Sequence, residues 1–139
     1  MNEIDNAYKV YLEEGNLIVV DFLIDVPEEN GEDVAVAEAI GREVNTILRR
    51  NPTKQFKVLA STLALGKDTG NVSKEARGVY VAIISNDQIE KTAFVSASSF
   101  LTIVATFVFQ AAGRSNKVKF FKEKEKALGW LHEGDDEDN

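Results

Sequence analysis

The first regular pattern along the chain is an alternation. Across residues 8–13 (YKVYLE), Tyr8, Val10 and Leu12 fall on one face, which predicts a half-exposed strand. Glu14-Gly15-Asn16 supplies a hairpin turn. Residues 17–24 (LIVVDFLI) then read as a partner strand, apolar almost throughout and so covered on both faces. Asp21 interrupts it and is expected to reach a backbone donor or the solvent. Past the loop at 27–31 the period lengthens: Val36, Ile40, Val44, Ile47 and Leu48 make one face of a helix, with Glu38, Arg42, Glu43 and Asn45 outside. Asn30 is a candidate cap, and Glu32 and Asp33 sit where the helix dipole favours negative charge. Arg49 and Arg50 complement the far end, before Asn51-Pro52 stops the helix.

Residues 56–61 (FKVLAS) predict the next strand, followed by a loop over 65–72. From Ser73 as cap, Ala76, Val79, Tyr80, Ile83 and Ile84 share a helical face. The β-propensity of residues 78–84 competes with that pattern, and the five-position helical match outweighs it. Residues 92–113 are the centre of the chain: 22 residues without a charge, bounded by Lys91 and Arg114. That length suits a membrane span, yet seven of the 22 are Ser, Thr or Gln. Residues 92–96 predict a buried strand, and Ser98 or Ser99 caps a helix that Gly113 ends. On that helix Ser99, Thr102, Thr106 and Gln110 form a narrow polar stripe, and apolar residues including Phe107 cover the rest. The expectation is a central helix buried on nearly all sides. Residues 117–121 predict a last strand with Lys on one face. Residues 123–132 predict a closing helix that buries Ala127, Leu128 and Leu131, with Trp130 beside them.

The order ββαβαβαβα implies an α/β domain with a mixed five-stranded sheet covered by helices. The hairpin is antiparallel, and the later strands, separated by helices, are parallel. Residues 1–133 are expected to form this single domain, and 134–139 an acidic disordered tail.

Charge and composition narrow the function classes. The net charge is −7 and there is no cysteine. Disulfides, thiol nucleophiles and cysteine-based zinc sites are therefore excluded, and an acidic balance argues against nucleic acid as a partner. The polar, acidic start MNEIDNAYK lacks a secretory signal, so a cytoplasmic location is expected. Asp68-Thr69-Gly70 spells an aspartic-protease triplet without the β-rich dimer that chemistry needs. Gly66-Lys67 lacks the rest of a P-loop. His132, the one histidine, stands near the end of the closing helix with no triad partners in view. The basic run Arg114, Lys117, Lys119, Lys122, Lys124 and Lys126 reads as a protected strand edge and a solvated helix face, with an anionic membrane surface or an acidic partner as the functional alternative. No metal site and no cofactor are expected.

Ser73-Lys74-Glu75-Ala76-Arg77, Ala93-Phe94-Val95, Lys117-Val118-Lys119-Phe120-Phe121 and Glu125-Lys126-Ala127-Leu128-Gly129-Trp130-Leu131 together resemble the small bacterial STAS-like (SpoIIAA-like) domains. The resemblance spans residues 8–132 by element order, with its specific residues in 72–131. It implies a mixed sheet with helices packed on it, and a non-enzymatic regulatory or protein-interaction role. STAS antagonists carry a phosphorylatable hydroxyl in an Asp-Ser-Ser-Gly-like turn entering a helix. Asp68-Thr69-Gly70 stands in the corresponding place with one hydroxyl fewer, which makes Thr69 and Ser73 the candidate phosphosites. Lys67, Lys74 and Arg77 are within sequence reach of such a phosphate; without one, Ser73 is simply a helix cap.

Two further expectations come from the central helix. Thr102, Thr106, Phe107 and Gln110 are candidates for an interface or a pocket, because so apolar a helix needs more cover than one sheet face gives. A homodimer is the simplest solution. The alternative is a carrier or binding domain for a lipid or other apolar small molecule.

Overall fold

The computed structural model describes residues 3–27, 31–67 and 72–133. A short helix, α1 (Glu3–Asn6), leads into β1 (Tyr8–Glu13) and β2 (Leu17–Phe22). Then come α2 (Glu32–Arg50), β3 (Phe56–Ser61), α3 (Lys74–Ile84), β4 (Ile89–Val95), α4 (Ser99–Ala111), β5 (Val118–Phe121) and α5 (Lys124–Leu131). The five strands form one sheet in the order β1-β2-β3-β4-β5. β1 is antiparallel to β2, and the other neighbours are parallel. The sheet is thus mixed, as the element order implies.

The hairpin turns where two consecutive residues take a left-handed conformation, Gly15 at φ 83° and Asn16 at φ 58°. These are the residue types that tolerate it. β2 ends at Phe22, two residues short of the apolar run, because β1 ends opposite it: Tyr8 pairs with Phe22. Beyond that pair Leu23 and Ile24 both donate to the single carbonyl of Ala7 and are exposed. β4 begins three residues earlier than its apolar segment suggests, at Ile89.

Because the parallel strands follow one another in order, successive crossovers of one hand place their helices on one face. Ile18, Val20 and Val58 of that face meet Val36, Ile40, Val44 and Leu48 of α2. Gly41 brings α2 close to α3: a Cβ there would sit 3.3 Å from Ile83 Cδ1. On the other face, Leu17, Val19, Leu59, Ala93 and Val95 pack with Ala127 and Leu131 of α5. Lys91 fastens α5 from the sheet, its Nζ donating to the Trp130 carbonyl at 2.9 Å and lying 4.8 Å from the ring centroid. Asp21 lies half-buried on the same face, and after burial its negative charge is what raises the Tyr11 phenol above the ordinary tyrosine value.

Two of the predicted caps form. Ser73 accepts from the Ala76 N–H, and Ser98 from the Leu101 N–H. Gly113, at φ 72°, closes α4: its N–H reaches the Gln110 carbonyl and that of Arg114 the Phe109 carbonyl, the paired bonds of a Schellman ending. The Arg114 guanidinium then binds Ser85 O and Asp87 Oδ1, tying this end to the α3–β4 loop. Asn30 and the tail 134–139 lie outside the described residues.

The expectation of a central helix buried on nearly all sides is corrected. Leu101, Ala105, Val108 and Phe109 are buried, but Phe100, Ile103 and Phe107 are 47%, 56% and 60% exposed. Strand order is the reason. α4 links β4 to β5 at the sheet's edge, so it stands at the end of the helical layer with α3 on one flank. No helix among the described residues is long and apolar enough to cross a membrane.

Candidate functional site

Between the sheet and the helical layer lies a cavity of about 160 Å³. Its origin is in side-chain size. Ala60 and Thr92 are short residues on the sheet face, and Ala76 of α3 and Ala105 of α4 are short residues above them. Large residues close the space around this gap, among them Phe22, Ile40, Tyr80, Phe94, Leu101 and Phe109. By volume it matches cavities known to admit a single aromatic ring. The residues after β2 and β3, including Ile24, Val26 and Leu65, line its end at the carboxyl edge of the parallel strands. In open α/β sheets ligands bind at that edge.

The lining is apolar with few polar groups. Asp33, in the first turn of α2, is one. It is only 6% exposed; its Oδ2 accepts the Ser73 N–H at 2.8 Å, and its Oδ1 is buried with no hydrogen-bond partner among the described residues. Tyr80 is another. Burial, and then the negative charge of Asp33, push its phenol far above the ordinary tyrosine range, so the hydroxyl stays protonated at every physiological pH. Its ring meets Phe22 edge to face with centroids 5.9 Å apart.

Thr62 is a third, within a run of buried hydroxyls at the ends of β3 and β4. Thr62 donates to Ser96 Oγ at 2.6 Å, Ser96 to the Ser98 carbonyl, and Ser61 accepts the Leu63 N–H. Among the described residues the Thr62 hydrogen therefore goes to Ser96 and the Ser96 hydrogen to a backbone carbonyl. Among the described residues no group of three His, Cys, Asp or Glu could hold a metal ion.

The residues singled out in the sequence are distributed otherwise. Thr69 lies outside the described residues. Ser73 caps α3 and donates its N–H to Asp33, so a carboxylate already faces this helix N-terminus. Lys67 and Lys74 are exposed, and Arg77 turns back to the Ser73 carbonyl at 3.4 Å. Thr102 and Thr106 donate to carbonyls of their own helix, Ser98 and Thr102, and Gln110 is exposed. None of Thr102, Thr106, Phe107 and Gln110 lines the cavity; Leu101, Val104, Ala105, Val108 and Phe109 of the same helix do. Asp33 and Tyr80 were legible only as a dipole partner and a face residue, since what joins them to the cavity is contact across distant elements.

The sequence model of the family described as Domain of unknown function (DUF7793) matches residues 41–134, from the middle of α2 to just past α5. No curated protein and no solved structure matches the chain.

Proposed function

The chain belongs to this DUF7793 family, and we propose that it is a non-enzymatic binding module for a compact apolar small molecule. The cavity carries this reading. A well-packed domain holds few voids larger than a water molecule, whereas this one keeps about 160 Å³ open between its two main layers. Space of that size suits a ring or a short chain, so a two-chain lipid is too large for it. The hydroxyls at the strand ends support a non-enzymatic role, because they are spent on mutual and backbone hydrogen bonds.

The test is thermal denaturation of the whole chain with ring-sized compounds such as toluene and indole. Binding to the folded state alone raises the midpoint with ligand concentration, and Ala105→Leu, which fills the cavity, removes the rise. No shift with any such compound overturns the reading.

A second reading is a STAS-like regulatory or protein-interaction module that self-associates, in line with the resemblance of residues 72–131. Its specific support is the exposed apolar ridge of Phe100, Ile103 and Phe107 on α4. The two readings use opposite sides of the same helix.

A further inference from the structure

We propose that Asp33 is the anchor of the cavity and that the ligand is a small organic cation, an apolar body of about one ring carrying a single ammonium group. This rests on the cavity being a binding site and adds which chemistry it selects.

The carboxylate is half used. Oδ2 is held by the Ser73 N–H at 2.8 Å, while Oδ1 is buried without a partner among the described residues. A buried acceptor left unpaired is costly, and the more so when it carries charge. Asp33 stands in the first turn of α2 and bonds the N-terminus of α3, the ends at which helix dipoles accommodate a carboxylate. A buried carboxylate oxygen in a mostly apolar wall, whose other acid, Asp25, is exposed, selects a donor, and a positively charged donor above a neutral one. An anionic ligand would meet like charge in a low-dielectric space.

The rest of the wall agrees. Tyr80 is kept neutral and adds no further negative charge to those of Asp33 and the exposed Asp25, and with Phe22 it brings to the lining aromatic rings of the kind that attract ammonium groups. The apolar remainder, such as Val108 and Leu101, takes the ligand's body. The competing account makes Asp33 only a tie between α2 and α3.

The experiment compares benzylamine, toluene and benzoate by calorimetric titration into the wild-type chain, Asp33→Asn and Ala105→Leu at neutral pH. Asn keeps an acceptor for the Ser73 N–H while removing the charge. Benzylamine should bind wild type about tenfold or more tighter than toluene, the scale of one charge-assisted hydrogen bond, and benzoate should not bind. Asp33→Asn should lose the tenfold preference and retain toluene; Ala105→Leu should lose both ligands. If benzylamine and toluene bind wild type equally, or the preference survives in Asp33→Asn, the anchor is wrong and the cavity reading stands. If no probe binds wild type, both fail. Should Asp33→Asn not fold, the side-chain carboxyl carbon resonance of Asp33 in wild type decides: it shifts with benzylamine and not with toluene, and an unmoved resonance under bound benzylamine overturns the anchor.

Discussion

Asp33 Oδ2 accepts the backbone N–H of Ser73 across 2.8 Å, joining the first turn of α2 to the cap of α3 over forty positions of chain. The bond places a negative charge beside the hydroxyl that the sequence offers as a phosphosite.

That neighbourhood makes the charge of residue 73 matter more than its capping ability. Asn and Asp both replace Ser well at a helix N-cap, but Asp puts a second carboxylate beside Asp33. Ser73→Asn should stay within about 0.5 kcal/mol of wild type and Ser73→Ala should lose about 1 kcal/mol. Ser73→Asp should fall roughly 1 kcal/mol below Ser73→Asn, the scale of a like-charge contact at a partly screened site. Urea unfolding measures all three. Equal midpoints for the Asn and Asp variants would show that Asp33 exerts no charge here, and a phosphoryl group on Ser73 would then meet no obstacle from it.

Compared at concentrations where both chains are monomeric, Phe107→Ala should change stability by no more than about 0.5 kcal/mol, as surface substitutions do, because the side chain is 60% exposed. Leu131→Ala, at a side chain with no exposure, should cost about 2–5 kcal/mol. Thermal melts of the two variants give the order directly. A Phe107→Ala melt as low as that of Leu131→Ala would return α4 to the core.

This contrast marks where the sequence stops being informative. Local period predicts the five strands and the four longer helices but not α1, and Ser73, Ser98 and Gly113 mark helix ends because capping is settled within a few residues. Start points are lost where charge interrupts apolarity: Glu90 and Lys91 hide the beginning of β4. Apolarity also does not say which side of a helix finds a neighbour. Phe107 and Val108 are equally apolar in the sequence, yet strand order leaves one facing outward and buries the other. The cavity is less legible still. It arises from Ala60, Ala76, Thr92 and Ala105, four small residues on four elements that only the assembled layers bring together.

Alkaline pH should weaken the fold through its tyrosines. Burial foremost, then a hydrogen bond to Glu43 and the charges of Glu43 and Asp5, push the Tyr8 phenol from 10.0 to about 12. Tyr11 and Tyr80 are also raised, burial again being the first cause. A raised phenol pKa means the folded state holds the proton more tightly than the unfolded one. Its stabilisation is complete below pH 10.0 and, for Tyr8, is lost as pH climbs to about 12. Unfolding midpoints should therefore decline across that window, and Tyr8→Phe should make the decline shallower. Ultraviolet titration of tyrosinate checks the premise: all three phenols ionising together at the ordinary value would refute it.

Self-association through α4 is the final expectation. Phe100, Ile103 and Phe107 fall at i, i+3 and i+7, so they form one ridge along the helix, and each is at least 47% exposed. Beside the ridge, Thr102 and Thr106 have already satisfied their hydroxyls on carbonyls of α4, so close packing there would strand no donor. Two ridges meeting about a two-fold axis would cover each other, the simplest closed arrangement for identical chains. Sedimentation at micromolar concentration should then give twice the chain mass of 15.4 kDa. Phe107→Glu should yield monomers that melt close to the monomeric wild type, because the residue supports an interface and not the core. A wild-type chain sedimenting at the single mass, with Phe107→Glu indistinguishable from it, removes the dimer and leaves the cavity as the protein's binding feature.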